Sequence, residues 1–276
     1  MEIIESKFLG FCSGVKRAYE LVKKELNRRG KVYINKELVH NKDVNMELER
    51  EGLIVVRDLN EIPEKSTFII PAHGLSFEEY MFANKKNLNI VDATCPLVIK
   101  SLIIGKKILQ KGQFLFIIGE KNHQEIIFLY SNLKSEKTFV IDENDNIPHI
   151  NGVVGVIVQT TQSEEFYKKM KNKISEKIKN VVFYDTICKE SKKRQIEVEE
   201  VAKKVDLLLV IGGKNSSNTK RLYEIGKKFV KTYHIENEDE IENDWFINIK
   251  KVGIVSGTST PDFVIERIKE KCLKLQ

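Results

Sequence analysis

The chain has 276 residues, a length that suggests one or two domains, or three small ones, with a sizeable buried core. Its 41% hydrophobic and 31% charged residues describe an ordinary globular protein; no apolar run nears the roughly 18 residues of a membrane helix and no basic-then-apolar leader opens the chain, so a cytoplasmic protein without a membrane partner is expected. The net charge of +6 comes from 46 basic against 40 acidic side chains, with lysines spread over helix faces and no interleaved aromatics, a pattern of solvated surface that argues against nucleic-acid binding and is consistent with an anionic small substrate.

Apolar strand-like runs alternate with helical patterns from end to end. The run from Glu2 leads to Cys12 and then to a helix over 15–29 with Val15, Ala18, Leu21, Val22 and Leu26 on one face, closed by Gly30. A strand at 32–34 follows, then a helix capped by Asn41 and running through 51, with Gly52 ending it, and strands at 53–56 and 67–70. The strand at 89–92 ends at Cys95, with Pro96 suited to the first helical position, and the helix over 97–111 stops at Gly112. Strands at 114–118 and 153–158 follow, with a lysine-rich helix over 164–179. A run from Val181 reaches Cys188 before a helix over 189–204, and strands at 207–211 and 252–255 precede a final helix. Continuous apolar strands alternating with helices predict α/β architecture, with parallel sheets covered on both faces and ligands bound beyond the carboxyl ends of the strands.

Cys12, Cys95 and Cys188 each stand where a strand ends and a helix begins, one per third of the chain. Free N–H groups and aligned peptide dipoles at a helix start favour a thiolate, the form that binds metal or attacks an electrophile. Four cysteines in a chain of this length do not make a disulfide framework, so metal or redox chemistry is the expectation. Cys272 differs, since it falls in step with Ile265, Ile268 and Leu275 and is expected to pack in the core.

Most other unusual polar residues also stand at strand ends. His40, His73 and His123 lie beside Asn, Gly or Gln. Glu125 would serve as a proton donor if a closed site raised its pKa. Thr160, Thr161, Ser216, Ser217, Asn218 and Ser259 fit turn and capping chemistry, and beside helix N-termini they also fit a cradle for a phosphate-type anion. Neither glycine-rich loop matches a Walker or dinucleotide fingerprint.

Eight segments in order, Gly10-Phe11-Cys12-Ser13-Gly14-Val15, His40-Asn41, Pro71-Ala72-His73-Gly74, Asp92-Ala93-Thr94-Cys95-Pro96, Gln159-Thr160-Thr161, Asp185-Thr186-Ile187-Cys188, Asn215-Ser216-Ser217-Asn218 and Gly257-Thr258-Ser259-Thr260-Pro261, resemble the 4-hydroxy-3-methylbut-2-enyl diphosphate reductase (IspH/LytB) family. The resemblance implies a trefoil of three small parallel-sheet α/β units around a central 4Fe-4S cluster held by Cys12, Cys95 and Cys188, with one iron left open to the substrate's hydroxyl. The corresponding units are 13–95, 96–188, and 189–276 together with 1–12. It implies reductive removal of an allylic hydroxyl to give isopentenyl and dimethylallyl diphosphates, the last step of the non-mevalonate pathway. Glu125 and Thr160 would supply protons; His40, His73, His123, Thr160, Thr161, Ser216, Ser217, Asn218 and Ser259 would bind the substrate; a small ferredoxin- or flavodoxin-type protein would deliver electrons.

The chain departs from the family's His-Pro-Glu and later glycines at His123-Gln124-Glu125-Ile126-Ile127-Phe128-Leu129-Tyr130, so the path after Glu125 is not given by the resemblance; Thr258 stands where alanine is commoner. The residues alone also admit a zinc hydrolase on three thiols, or a noncatalytic iron–sulfur carrier or sensor.

Overall fold

The computed structural model describes residues 1–275. The first elements are β1 (Glu2–Glu5), α1 (Ser13–Arg29), β2 (Val32–Ile34), α2 (Lys42–Arg50), β3 (Leu53–Val55), β4 (Thr67–Ile70), α3 (Phe77–Lys85) and β5 (Asn89–Asp92). The middle of the chain forms α4 (Pro96–Gln110), β6 (Phe114–Ile118), α5 (Gln124–Leu133), β7 (Thr138–Ile141), β8 (Val154–Val158), α6 (Glu164–Ser175) and β9 (Val181–Phe183). The last part forms α7 (Lys189–Ala202), β10 (Leu207–Ile211), α8 (Ser217–Gly226), β11 (Lys231–Ile235), β12 (Lys251–Ser256) and α9 (Asp262–Lys274).

Among the described residues the strands make three four-stranded sheets, in the orders β3-β2-β4-β5, β7-β6-β8-β9 and β11-β10-β12-β1. Every strand pair is parallel. The same order is therefore traced three times, with β1 at the beginning of the chain serving as the fourth strand of the last sheet. In each sheet the strand that leads to a cysteine, β5, β9 or β1, lies at an edge.

The chain packs as two compact units, one of residues 1–19, 37–51 and 189–276, the other of residues 20–36 and 52–188. In the first, β10 is buried along its whole length, with α9 contributing to the core on one side through Val264, Ile265 and Ile268, and α7 and α8 on the other through Val198, Val201 and Leu222. Each fully buried Val, Leu or Ile contributes roughly 1.5–3 kcal/mol of transfer free energy before ordering costs, so this five-residue run anchors the sheet. Cys272 is fully buried in the α9 core with Ile265 and Ile268, as its spacing predicts, and burial pushes its thiol up to about 11.

In the second unit, β6 and β8 are similarly enclosed, with Phe166, Met170 and Ile174 of α6 in one core and Val98, Ile108, Ile126 and Leu129 of α4 and α5 in the other. The sheet built on β4 packs Phe68 and Ile70 against Leu75 and Ala83 at α3. The predicted helix over 164–179 stops at Ser175, because the chain turns there to carry Ile178 into the core before β9. Three short helices and two strands, α3, α5, α8, β7 and β11, go beyond the sequence reading. For α3 a signal was present: Ser76 and Glu79 form a reciprocal capping box. After Glu125 the chain takes the path of α5, whose Ile126, Phe128, Leu129 and Leu133 are buried.

Candidate active site

Each of the three cysteines is fixed by the same backbone contact. The Cys95 N–H donates to the Ala72 carbonyl at 2.9 Å, that of Cys188 to Thr160 at 2.8 Å, and that of Cys12 to Thr258 at 3.0 Å. Ala72, Thr160 and Thr258 each lie just past the end of the strand beside the cysteine's own edge strand, so the contact extends a parallel ladder into the loops. The residues after them, His73, Thr161 and Ser259, consequently stand at equivalent places. Two of the turns are shaped by an aspartate three residues before the thiol: Asp92 Oδ1 accepts the Thr94 N–H at 2.8 Å, and Asp185 Oδ1 accepts that of Ile187 at 3.2 Å. This repeated Asp-x-x-Cys was visible in the sequence and carried no role there.

The second unit brings together Glu125, Thr160, Thr161, His73, His123, Cys95 and Cys188. Glu125 is 1% exposed, at the second position of α5. Thr160 donates its hydroxyl to Glu125 Oε2 at 2.6 Å and its N–H to Oε1 at 2.7 Å. Burial pushes the carboxyl up to about 7 despite both hydrogen bonds, which favour the charged form. His123 caps α5, its Nδ1 accepting the Glu125 N–H at 3.2 Å, and its ring meets that of His73 edge-on at 5.4 Å between centroids. Gln159, fully buried, accepts the Glu120 N–H at 2.9 Å and donates to Thr161 Oγ1 at 2.9 Å, tying two strand-end loops together. The sequence reading assigned it no role.

Cys95 caps α4 with Pro96 next to it. Burial raises its thiol pKa above the ordinary value; the N–H groups of Leu97 and Val98 pull it down, while the nearby Cys188 and Glu125 push it up. The helix start alone predicts a thiolate; burial outweighs it at Cys95.

The first unit holds Cys12, His40, Ser216, Ser217, Asn218 and Ser259. The Cys12 sulfur accepts the Val15 N–H at 3.4 Å at the start of α1. His40 lies against the ends of β10 and β12: Ser259 Oγ donates to its carbonyl at 3.2 Å, and a Cβ at Gly213 would collide with that carbonyl oxygen. Burial lowers the His40 imidazole pKa, with Glu37 at 3.6 Å opposing the shift and Lys220 adding to it. Ser216 caps α8, its oxygen accepting the Thr219 N–H at 3.3 Å. Asn218 occupies the second position of α8, the place Glu125 holds in α5. It is 2% exposed, and neither amide atom has a hydrogen-bond partner. A buried amide left this way costs about 1–3 kcal/mol, and a bound anion accepting a hydrogen bond from Nδ2 would remove the part of that cost due to the donor.

Among the described residues no three or more His, Cys, Asp or Glu side chains gather as ligands of a single metal ion, and the cysteines are unbridged. Cys12, Cys95 and Cys188 are half-buried at helix starts, whereas Cys272 is buried. Cysteine thiols free of disulfides are the donor type by which proteins hold iron–sulfur clusters, so these residues fit such a group by their chemistry.

Parallel α/β sheets whose edge strands end in half-buried thiols, with a protonatable buried carboxyl near two of them, define an α/β enzyme with sulfur and acid–base groups at its strand ends. The chain belongs to the LytB protein family, whose model matches residues 3–273. The 4-hydroxy-3-methylbut-2-enyl diphosphate reductase of Dictyoglomus thermophilum is 40% identical over 263 residues, covering 95% of this chain and 92% of that one. The reductase of the same name from Aquifex aeolicus is 38% identical over 98% of this chain and 96% of its own. The solved structure of the E-1-hydroxy-2-methyl-but-2-enyl-4-diphosphate reductase from Plasmodium falciparum matches with a TM-score of 0.92 at 29% identity, covering 98% of this chain and 87% of that one. Among the described residues no helix is long and apolar enough to cross a membrane.

Proposed function

We propose that this chain reduces (E)-4-hydroxy-3-methylbut-2-enyl diphosphate to isopentenyl and dimethylallyl diphosphates. The observation that carries the reading is Glu125, a fully enclosed carboxyl held by Thr160, able to keep a proton near neutral pH, with Cys95 and Cys188 nearby. The reaction breaks the allylic C–O bond, takes up two electrons and two protons, and releases the hydroxyl as water.

Cys12, Cys95 and Cys188 would hold a 4Fe-4S cluster, and 13–95, 96–188 and 189–276 with 1–12 would be the three units that each deliver one thiol. When bound on three thiolates, the cluster supplies electron transfer and Lewis-acid chemistry at its unligated iron. The chain's own part is to hold and move protons. Glu125 is the proton reservoir, and Thr160 Oγ1, 2.6 Å away, is the hydroxyl through which the proton reaches the departing oxygen. Its backbone N–H keeps the other carboxyl oxygen in place, so in the protonated acid the Oε2–H donates to Thr160 Oγ1, reversing the hydrogen bond made by the carboxylate and freeing the Thr160 hydroxyl to donate onward.

The diphosphate would be held by His40, His73 and His123 with Thr161, Ser216, Ser217, Asn218 and Ser259. Asn218 supports this most directly, because its buried amide lacks protein partners at the start of a ten-residue helix whose N–H groups favour an anion. Hydrogen bonds to charged groups are worth roughly 1.5–3 kcal/mol each, so about four bring binding into the micromolar range before ordering costs. A small ferredoxin- or flavodoxin-type protein is the proposed electron donor, in a reducing cytoplasm where such thiols persist unbridged.

The test is anaerobic reconstitution followed by iron and sulfide analysis and turnover of the allylic diphosphate with a chemical reductant. A brown protein that converts substrate is expected. A colourless zinc protein, or a brown one that leaves the substrate intact, overturns the reading.

A further inference from the structure

We propose that Arg194, on α7, is a positioning residue for Cys12, doing for that thiol what aspartates do for the other two. The three cysteine turns are not built alike. Asp92 and Asp185 stand three residues before Cys95 and Cys188 and accept an N–H inside the turn. Three residues before Cys12 stands Leu9, whose side chain has no acceptor to offer.

Arg194 takes over from outside the turn. It is 4% exposed, and its Nη2 donates to the Gly10 carbonyl at 2.8 Å. Its Nη1 reaches the Ser256 carbonyl at 2.9 Å, Ser256 Oγ at 3.2 Å and the Gly257 carbonyl at 3.4 Å. Ser256 Oγ in turn accepts the Gly10 N–H at 3.1 Å, so both backbone groups of Gly10 are tied to one guanidinium–hydroxyl pair. Gly10 adopts φ +76, a conformation that L side chains rarely adopt. Arg194 therefore clamps two segments at once, the one ending in Cys12 and the one carrying Thr258, whose carbonyl accepts the Cys12 N–H. A planar fork with several fixed donors suits this task in a way that a lysine ammonium does not.

The consequence for the proposed cluster rests on Cys12 being a ligand, but the positioning itself does not, and the experiment separates the two. Full-length parent, Arg194→Met, Arg194→Lys and Ser256→Ala chains are prepared anaerobically, assayed for iron and sulfide, stripped of metal with a chelator, and alkylated with iodoacetamide while the rate at each cysteine is read by peptide mass spectrometry.

In Arg194→Met the Cys12 rate is expected to rise by about tenfold, the scale of one lost charge-assisted hydrogen bond, with Cys95 and Cys188 reacting as in the parent. Arg194→Lys recovers part of the effect. Ser256→Ala shifts Cys12 in the same direction and serves in place of Arg194→Met if that chain does not fold. An unchanged Cys12 rate, or equal acceleration at all three cysteines, overturns the proposal, the second because it marks general loosening. A parent chain that takes up no iron or sulfide, with the selective Cys12 effect intact, overturns the cluster reading and leaves the clamp standing.

Discussion

Thr160 grips both oxygens of Glu125, one through its hydroxyl and one through its backbone N–H, across 35 positions of sequence. The same threonine accepts the Cys188 N–H through its carbonyl. The proposed proton donor and one proposed cluster ligand therefore share a single supporting residue. Their relative placement does not depend on long flexible side chains.

Replacing Glu125 by Gln keeps shape and one hydrogen-bond acceptor but removes the titrating proton. Iron content and substrate affinity are expected to match the parent, while turnover falls by about 10²–10⁴-fold, the usual worth of a positioned acid. Equal loss of iron in Glu125→Gln and Cys12→Ser would contradict the assigned roles.

The Glu125 carboxyl ordinarily ionises at 4.5 and in the fold at about 7, so the folded chain binds this proton more tightly than the unfolded one. Its contribution to stability is fully present below pH 4.5 and is lost as pH rises through about 7, amounting to about 3 kcal/mol at ~1.4 kcal/mol per unit. Chemical denaturation of the cluster-free chain across this window is expected to show that slope in the parent and not in Glu125→Gln. Turnover of the loaded enzyme should fall with pH over the same upper range.

Asn218→Leu replaces an unpartnered buried amide with an apolar side chain of similar volume. The melting temperature is expected to hold or rise, since an unsatisfied amide costs about 1–3 kcal/mol, while affinity for the diphosphate substrate falls by at least tenfold. A melting temperature that drops sharply would mean the amide is satisfied in the ligand-free protein. Substituting His73 should chiefly raise KM with kcat little changed; an unaltered KM would remove it from the anion site.

Cys272→Ala leaves a small gap among Ile265 and Ile268 and is expected to cost roughly 1 kcal/mol without altering iron content. Cys12→Ser should instead reduce the iron and sulfide retained per chain. Elemental analysis beside thermal melts distinguishes the two thiols.

The α/β class, the placing of Cys12, Cys95 and Cys188 at strand-to-helix junctions, and the packing role of Cys272 are legible in the order of residues alone. These rest on local regularities: apolar runs, helical spacing, and proline or glycine at element ends. Helices α3, α5 and α8 are harder to read: polar residues interrupt the apolar face of α3 and α8, and the unbroken apolar run 126–130 in α5 shows no helical period.

Folding in three dimensions is what brings Thr160 to Glu125, lets burial outweigh the helix start at Cys95, leaves the Asn218 amide atoms without partners and carries Arg194 to Gly10. The physical reason is common to all four. Desolvation and side-chain hydrogen bonds depend on which remote segments fold against a residue, and segments far apart along the chain leave no periodic trace of their meeting.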